Sequence, residues 1–524
     1  MSNGPTLAQK KIIDYPSKNL LVSAAAGSGK TFTMTKRIIS LLTDKNNKTS
    51  LSDLIVLTFT DAAAKNIKQK IIDELSKDES LKSELSHVDE ADISTFDAFC
   101  NKFVKKYIVN SKINNDFQIA DDALFEMKTK EFINEVLDEY YEGKSGDSLS
   151  FITLLDMFTN GKDDNNLVKA LYGYYCSIQN EIDLDDFLST YVDKYFSDDF
   201  SNEICVELHK IFKEIASECL KLDILDENIL NINDEKICNY VIDIRNQLEA
   251  LINADTFDEA FNIFIDLKKN YSQPRPNKFA EVLLTNEDDI SAQYDKLNQL
   301  FVPSKGFRFR FSDIFALMTA ERVSFSEFLK EDFRLSKPIY SIINEMMIKL
   351  NNKLNEFKKE YSLYTFMDIE KEAIRILKEN EDIREEYKKN IKEIIIDEYQ
   401  DTNDIQSELI SLISNDNVVV VGDIKQSIYR FRNSNPKIFE NLLNLYSDNN
   451  SNGKVLYLSE NFRSRKEEVL DKVNEVFKEK ATDNQLDSPY FSDELKYGYK
   501  EYDKFNDELN RFRIIKYTYS KDKY

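Results

Sequence analysis

Tryptophan is absent from this chain of 524 residues, and histidine occurs only twice, as His87 and His209. Two histidines nearly exclude histidine triads and histidine-rich metal sites. Cysteine is sparse as well. Cys100, Cys176, Cys205, Cys219 and Cys238 are scattered, odd in number and free of C-x-x-C spacing. That pattern argues for buried thiols in a reducing cytoplasm. No run of 18 apolar residues occurs, so no membrane span is expected. The opening Met1-Ser2-Asn3-Gly4-Pro5 has neither a basic n-region nor an apolar h-region, so no secretory signal is expected. Positive charge is in deficit. Lys and Arg number 70 against 94 Asp and Glu, a net charge of −24. This counts against a sequence-independent electrostatic grip on nucleic acid. A local basic groove is still compatible with it, because the field in a cleft follows local charge.

What is present is a soluble globular composition, 31% charged and 42% hydrophobic. The length suffices for roughly three or four domains. One segment stands out. Leu20-Leu21-Val22 reads as a buried strand and Phe32 to Leu42 as a helix. Between them lies Ala24-Ala25-Ala26-Gly27-Ser28-Gly29-Lys30-Thr31. Small residues there let successive backbone N–H groups turn inward around phosphates. The helix N-terminus adds its dipole. In this pattern Lys30 reaches the β- and γ-phosphates and Thr31 holds Mg²⁺. A small-residue turn would explain a bare G-x-G, but not the full A-x-x-x-x-G-K-T in this context. The chain is therefore read as binding a nucleotide, ATP.

Apolar strands alternate with helices at both ends of the chain. Leu54 to Thr58 precedes a helix from Asp61 to Leu75, and Ala91 to Thr95 precedes one from Phe96 to Ile108. Glu393 to Asp397 and Val418 to Asp423 continue the series. Buried β-runs alternating with helices predict an α/β fold, a doubly wound parallel sheet. Residues 121–360 read instead as long amphipathic helices, a mainly helical domain inserted into the α/β core. Within it, Pro274-Arg275-Pro276-Asn277-Lys278 reads as a rigid basic loop, and Phe307-Arg308-Phe309-Arg310-Phe311 as a strand with Phe on one face and Arg on the other. The latter suits nucleic acid, and a half-buried edge strand equally. A further unit is expected to begin with a strand from Lys454 to Ser459 and a helix from Arg465 to Phe477. It would continue to the strand-like stretch Phe512 to Tyr519 and stop incomplete.

Ile394-Ile395-Ile396-Asp397-Glu398 is an apolar strand ending in paired acids. Beside a phosphate loop, Asp397 would hold Mg²⁺, and Glu398 would orient and deprotonate the attacking water. Alone, such a strand end is commonly just solvated. The next strand leads into Gly422-Asp423-Ile424-Lys425-Gln426-Ser427-Ile428-Tyr429-Arg430-Phe431-Arg432. There Gln426 can reach a γ-phosphate, and Tyr429, Phe431 and Arg432 can stack on or clamp single-stranded bases. An ordinary strand-to-helix loop is the alternative.

Taken in order, Ala24 to Thr31, Asp397 to Thr402, Gly422 to Ser427 and Leu458-Ser459-Glu460-Asn461-Phe462-Arg463-Ser464 resemble motifs I to IV of UvrD/Rep-type superfamily 1 helicases. Thr6-Leu7-Ala8-Gln9 resembles their adenine-reading motif. Thr58 to Ala64 and Ile93 to Cys100 resemble their next DNA-contacting motifs. The segments around Lys30 and Gln426 are similar, more narrowly, to the AddA type, the A subunits of bacterial helicase–nucleases related to RecB. The resemblance implies a RecA-like P-loop NTPase fold. It implies that Gln9 reads adenine, Phe462 stacks on it and Arg463 approaches the γ-phosphate. Thr58, Phe59, Thr95 and Phe96 would line the DNA strand. Without the ordered set, Gln9 is a polar residue on a first helix and Arg463 a helix-start arginine. Asp97 stands where His is commoner in the family, and Asn66, Ile67 and Lys70 replace Glu, Met and Arg.

The resemblance also implies a domain division: 1–120 and 361–450 as the two parts of RecA-like domain 1A, 121–360 as inserted domain 1B, and 451–524 as the start of domain 2A. It implies an ATP- and Mg²⁺-dependent DNA helicase moving 3′ to 5′, cytoplasmic, and acting with an AddB-like partner in double-strand break repair by recombination. Nothing resembling motifs V and VI or the family's nuclease domain follows. Two alternatives stay open: a truncated module that binds ATP and DNA without turnover, and another UvrD-type repair helicase.

Overall fold

The computed structural model describes residues 4–44, 49–144, 146–158, 163–226, 229, 234–270, 274–283, 285, 287–298, 324–429, 434–448, 450–464, 470–471, 473–475 and 496–497. The chain divides into two compact units, one of residues 1–128, 176–183 and 354–524, the other of 129–175 and 184–353.

The first unit is built on a parallel sheet. Its strands are β1 (Asn19–Ala24), β2 (Leu54–Thr58) and β3 (Asp92–Thr95), a short pair β4 (Gln118–Ile119) and β5 (Leu363–Tyr364) set apart, then β6 (Glu393–Ile396), β7 (Val418–Gly422) and β8 (Gly453–Leu458). The six-stranded order is β3-β2-β6-β7-β1-β8, and every pairing is parallel. Successive side chains leave opposite faces, and both faces are dry. Leu20, Val22, Val56, Ile395, Val419 and Val421 enter one core. Leu21, Ile55, Leu57, Ile394, Ile396 and Val420 enter the other. Sheets covered on both faces need such unbroken apolar runs. Helices α1 (Leu7–Ile13), α2 (Lys30–Thr43) and α3 (Asp61–Leu75) supply Ile12, Met34, Ile38, Ile67 and Ile71 to the first core. Helix α4 (Phe96–Lys106) and the helices Phe366–Glu379, Asp404–Ile413 and Pro436–Ser447 cover the second.

The expectation of an α/β parallel sheet is met. One placement is corrected. The strand expected to open a further unit is β8, which pairs with β1 along its whole length, from Asn19↔Gly453 to Ala24↔Leu458. Leu458 is buried in the same core as β1, so packing, not position in the chain, assigns it to this sheet. The strand at Phe512–Tyr519 and most of the helix at 465–477 lie outside the described residues.

The second unit is helical. Helices Asp198–Cys219, Glu235–Asn253, Phe257–Asn270, Pro276–Leu283 and Glu287–Asn298 enclose a core of Val241, Leu248, Phe261, Phe279 and Leu297. The basic loop expected at 274–278 is therefore half helix. Pro276 opens a helix because its fixed φ suits the first turn, where no N–H partner is needed. The Phe-Arg alternation at 307–311 lies outside the described residues.

Helix Phe366–Glu379 buries a carboxylate. Glu370 is 5% exposed, and burial pushes its pKa up to about 7 against a hydrogen bond from Gln406, with Asp97 adding repulsion. A carboxylate whose folded pKa is raised favours the fold only while protonated. That contribution is complete below about pH 4.5 and is lost as pH rises through 7. Glu370→Gln keeps an acceptor for Gln406 and removes the buried charge. The variant is expected to be more stable by roughly 2–3 kcal/mol at pH 8, and no more stable at pH 4. Urea unfolding at the two pH values checks this, and equal gains at both would refute it.

Candidate functional site

The C-terminal end of β1 delivers the loop at 25–29. Ala25 N–H donates to the Leu458 carbonyl at 2.9 Å, which anchors the loop to β8. Gly27 (φ 72°) and Gly29 (φ 82°) take left-handed backbone, where a side chain is strained. Space is also lacking. A Cβ at Gly27 would lie 2.8 Å from Asn461 Nδ2 and 2.9 Å from Arg463 Cβ. Lys30 and Thr31 open α2, so the unpaired N–H groups of its first turn and its dipole face the loop's concavity. The Ser28 hydroxyl is buried beneath with no hydrogen-bond partner among the described residues.

Two distant segments close on this loop. Gln9, 5% exposed, is held by a capping box with Thr6 and donates Nε2 to the Ser28 carbonyl at 3.3 Å. The strand β9 (Glu460–Asn461) and the turn after it lie against the other side. Asn461 Nδ2 donates to the Ala26 carbonyl at 2.6 Å, and Phe462 N–H donates to the Gly27 carbonyl at 2.9 Å. Asn461 Oδ1 accepts the N–H groups of Arg463 and Ser464, both at 2.8 Å. The structure thus gathers Gln9, residues 24–31, Phe462 and Arg463 around one loop. Asn461 organises the turn and was not singled out from sequence; its place between two residues of a recognised motif was the available signal.

The acids arrive from β6. Asp397 N–H donates to the Leu57 carbonyl at 2.9 Å, which extends the β2 pairing by one residue. Burial, with the charge of Glu398 beside it, pushes Asp397's pKa up to about 6. Glu398 sits at φ 53°, an uncommon conformation for a residue with a Cβ, and costs of order 1–3 kcal/mol there. This bend aims its carboxylate at Lys30, whose Nζ donates to Oε2 at 2.6 Å. Asp401 joins the same field. It is 5% exposed, its pKa is pushed up to about 6 by burial and then by Glu398, and its Oδ1 has no partner among the described residues. Sequence reasoning passed over Asp401, since an acid three residues past the pair carries no pattern of its own. Among the described residues, no three His, Cys, Asp or Glu side chains converge as a metal cage. Thr31 and Asp397 offer one hydroxyl and one carboxylate, the chemistry of donor that suits Mg²⁺, which takes one or two protein oxygens and completes its shell with phosphate and water. Beyond β7, Gln426 Nε2 donates to Asp423 Oδ2 at 2.7 Å.

The residues expected to line DNA divide into two groups. Phe59 and Tyr429 come together, ring centroids 5.1 Å apart and planes inclined by 31°. Thr58 and Thr95 are register partners at the ends of β2 and β3. Two of these side chains are enclosed. Thr58 is 1% exposed and its hydroxyl donates to the Thr60 carbonyl, while Phe96 is 5% exposed and packs in the core. Both point inward because β2 and the first turn of α4 need apolar or satisfied side chains there. Thr95 caps α4 by accepting Ala98 N–H. Phe431 and Arg432 lie outside the described residues.

The sequence also matches known proteins. The profile of the UvrD/REP helicase N-terminal domain matches residues 6–447. The ATP-dependent helicase/nuclease A-subunit of Thermoanaerobacter sp. (strain X514) is 30% identical over 94% of this chain and 41% of its own length. The proteins of that name from Clostridium acetobutylicum and Clostridium novyi are also 30% identical. They match over 90% and 96% of this chain and 40% and 41% of their own lengths. The chain thus spans about two-fifths of the length of these relatives.

Proposed function

Because this chain belongs to the UvrD/Rep helicase family, we propose that it is the ATP-hydrolysing part of a DNA translocase of the AddA type. One observation carries this reading: Gln9, the Lys30–Glu398 pair and the Asn461–Arg463 turn all close on the one glycine-bearing loop at 24–31. Lys30 and the α2 N-terminus take the phosphates. A γ-phosphate that draws Lys30 away releases Glu398 to accept a proton from the attacking water. Thr31 and Asp397 hold Mg²⁺, which neutralises charge developing on the phosphate oxygens. Gln426 and Arg463 respond to the γ-phosphate, and Gln9 and Phe462 hold adenine.

Residues 1–120 and 361–450, with β8 completing their sheet, act as domain 1A, 121–360 as the inserted domain 1B, and the residues after β8 as the start of domain 2A. Single-stranded DNA runs past Phe59 and Tyr429, with movement 3′ to 5′. The biological setting is cytoplasmic double-strand break repair by recombination, with an AddB-like partner protein.

The test is ATPase rate with and without single-stranded DNA, for the chain and for Lys30→Ala. DNA-stimulated turnover that disappears in Lys30→Ala is the expected result. ATP binding without turnover would support a nucleotide- and DNA-binding module instead. A chain that binds no ATP would overturn the proposal.

A further inference from the structure

Gln400 is 2% exposed, and its side chain joins two loops. Nε2 donates to Glu398 Oε2 at 2.9 Å and lies 3.5 Å from Asp401 Oδ2. Oε1 accepts the backbone N–H of Asp423 at 3.0 Å. The Gln400 carbonyl accepts the Ser427 hydroxyl at 3.4 Å. Asp423, itself buried, orders the rest of that loop by accepting Lys425 N–H and Gln426 Nε2. Two residues past Ser427 is Tyr429, its ring tilted against that of Phe59. Gly422 makes room for this arrangement, because a Cβ there would come within 2.4 Å of Gln400 Oε1.

A carboxamide is directional: one end only donates and the other only accepts. Here the partners dictate which way it points. The Glu398 carboxylate can take only a donor, and the Asp423 N–H only an acceptor. A carboxamide pinned at both ends transmits displacement. Movement of the 423–429 loop carries Oε1 with it and turns Nε2 relative to Glu398.

We propose that Gln400 is a positioning residue that couples the two ligand sites. It ties the placement of Glu398, and through it Lys30, to the loop that ends in Tyr429. Nucleotide at the phosphate loop and single-stranded DNA at Phe59 and Tyr429 therefore alter each other's affinity through this side chain. The inference rests on the function proposed above and adds to it a specific route of coupling. A residue that merely filled space would affect stability but not the linkage between ligands, which is reciprocal by thermodynamic necessity.

The experiment measures the affinity of the chain for a fluorescent, slowly hydrolysed ATP analogue with and without saturating oligo-dT. In the unsubstituted chain, oligo-dT is expected to change that affinity by about fivefold or more. In Gln400→Met, which keeps the shape and removes both hydrogen bonds, each ligand alone is expected to bind within about twofold of normal while the ratio falls to about one. Gly422→Ala leaves Gln400 in the chain but displaces its carboxamide, and should also abolish the ratio. It carries the test if Gln400→Met does not fold. An unchanged ratio in the folded variant overturns the inference, as does a ratio of one in the unsubstituted chain. Failure of the unsubstituted chain to bind either ligand is a different result: it overturns the proposed function, and the coupling falls with it.

Discussion

Glu398→Gln is expected to slow ATP hydrolysis by roughly 10²–10⁴-fold, the span a positioned general base contributes, while the nucleotide still binds. The geometry separates the two effects. Glu398 is held by Lys30 at 2.6 Å and by Gln400 at 2.9 Å, in a left-handed backbone conformation that fixes where its carboxylate can reach. Glutamine is nearly the same shape but accepts no proton from water. It also leaves Lys30 without its ion pair and so more available to phosphate. Affinity should therefore hold or rise as the rate collapses. Lys30→Ala differs in kind, because it removes the cation itself and should weaken binding as well as rate. Single-turnover hydrolysis with parallel equilibrium binding distinguishes them. A Glu398→Gln chain that hydrolyses ATP within tenfold of the normal rate would remove Glu398 from the role of base.

Arg37→Ala is expected to cost about 3–5 kcal/mol of stability, the penalty for stranding one member of a buried ion pair. Arg37 is 1% exposed and Glu393 fully buried, and they meet through two hydrogen bonds of 2.7 and 2.6 Å. Arg37 also donates to the carbonyls of Ile12, Tyr15 and Pro16. The pair is thus a joint between three elements: α2, the start of β6 and the chain leaving α1. Replacing both partners by apolar residues often recovers stability in buried pairs. Here the Tyr15 carbonyl would lose its donor, and Ile12 and Pro16 would keep only the N–H groups of Tyr15 and Lys18, so Arg37→Met with Glu393→Leu should recover only part of it. Urea unfolding of the single and double variants measures this, and a loss below about 1 kcal/mol for Arg37→Ala would contradict it. Because Gln9 sits on α1, the same variant should also bind nucleotide more weakly.

Much of this architecture was legible along the chain. Runs such as Ile394–Ile396 and Val418–Val421 announce strands buried on both faces, and the small residues from Ala24 to Gly29 announce a phosphate loop. The paired acids Asp397 and Glu398 were legible because strand end and charge coincide. What escaped was long-range. The Arg37–Glu393 pair joins residues 356 apart in sequence. Gln400 looks like any polar residue after an acid pair until Asp423 is placed beside it. The strand at Gly453–Leu458 is locally like any other, and only its register against β1 shows which sheet it completes. Thr58 and Phe96 matched a contact motif, yet tertiary packing turned both inward.

The sheet order has a consequence for how the protein is made. β1 leaves the ribosome well before both its neighbours, β7 and β8, which lie hundreds of residues further along the chain. At about 5–20 residues per second, roughly 20–80 s pass between synthesis of β1 and that of its first partner. Throughout that interval Leu20, Leu21 and Val22 have no strand to pair with. The nascent chain therefore carries an open, sticky strand throughout that interval, which makes it a natural client for holding chaperones.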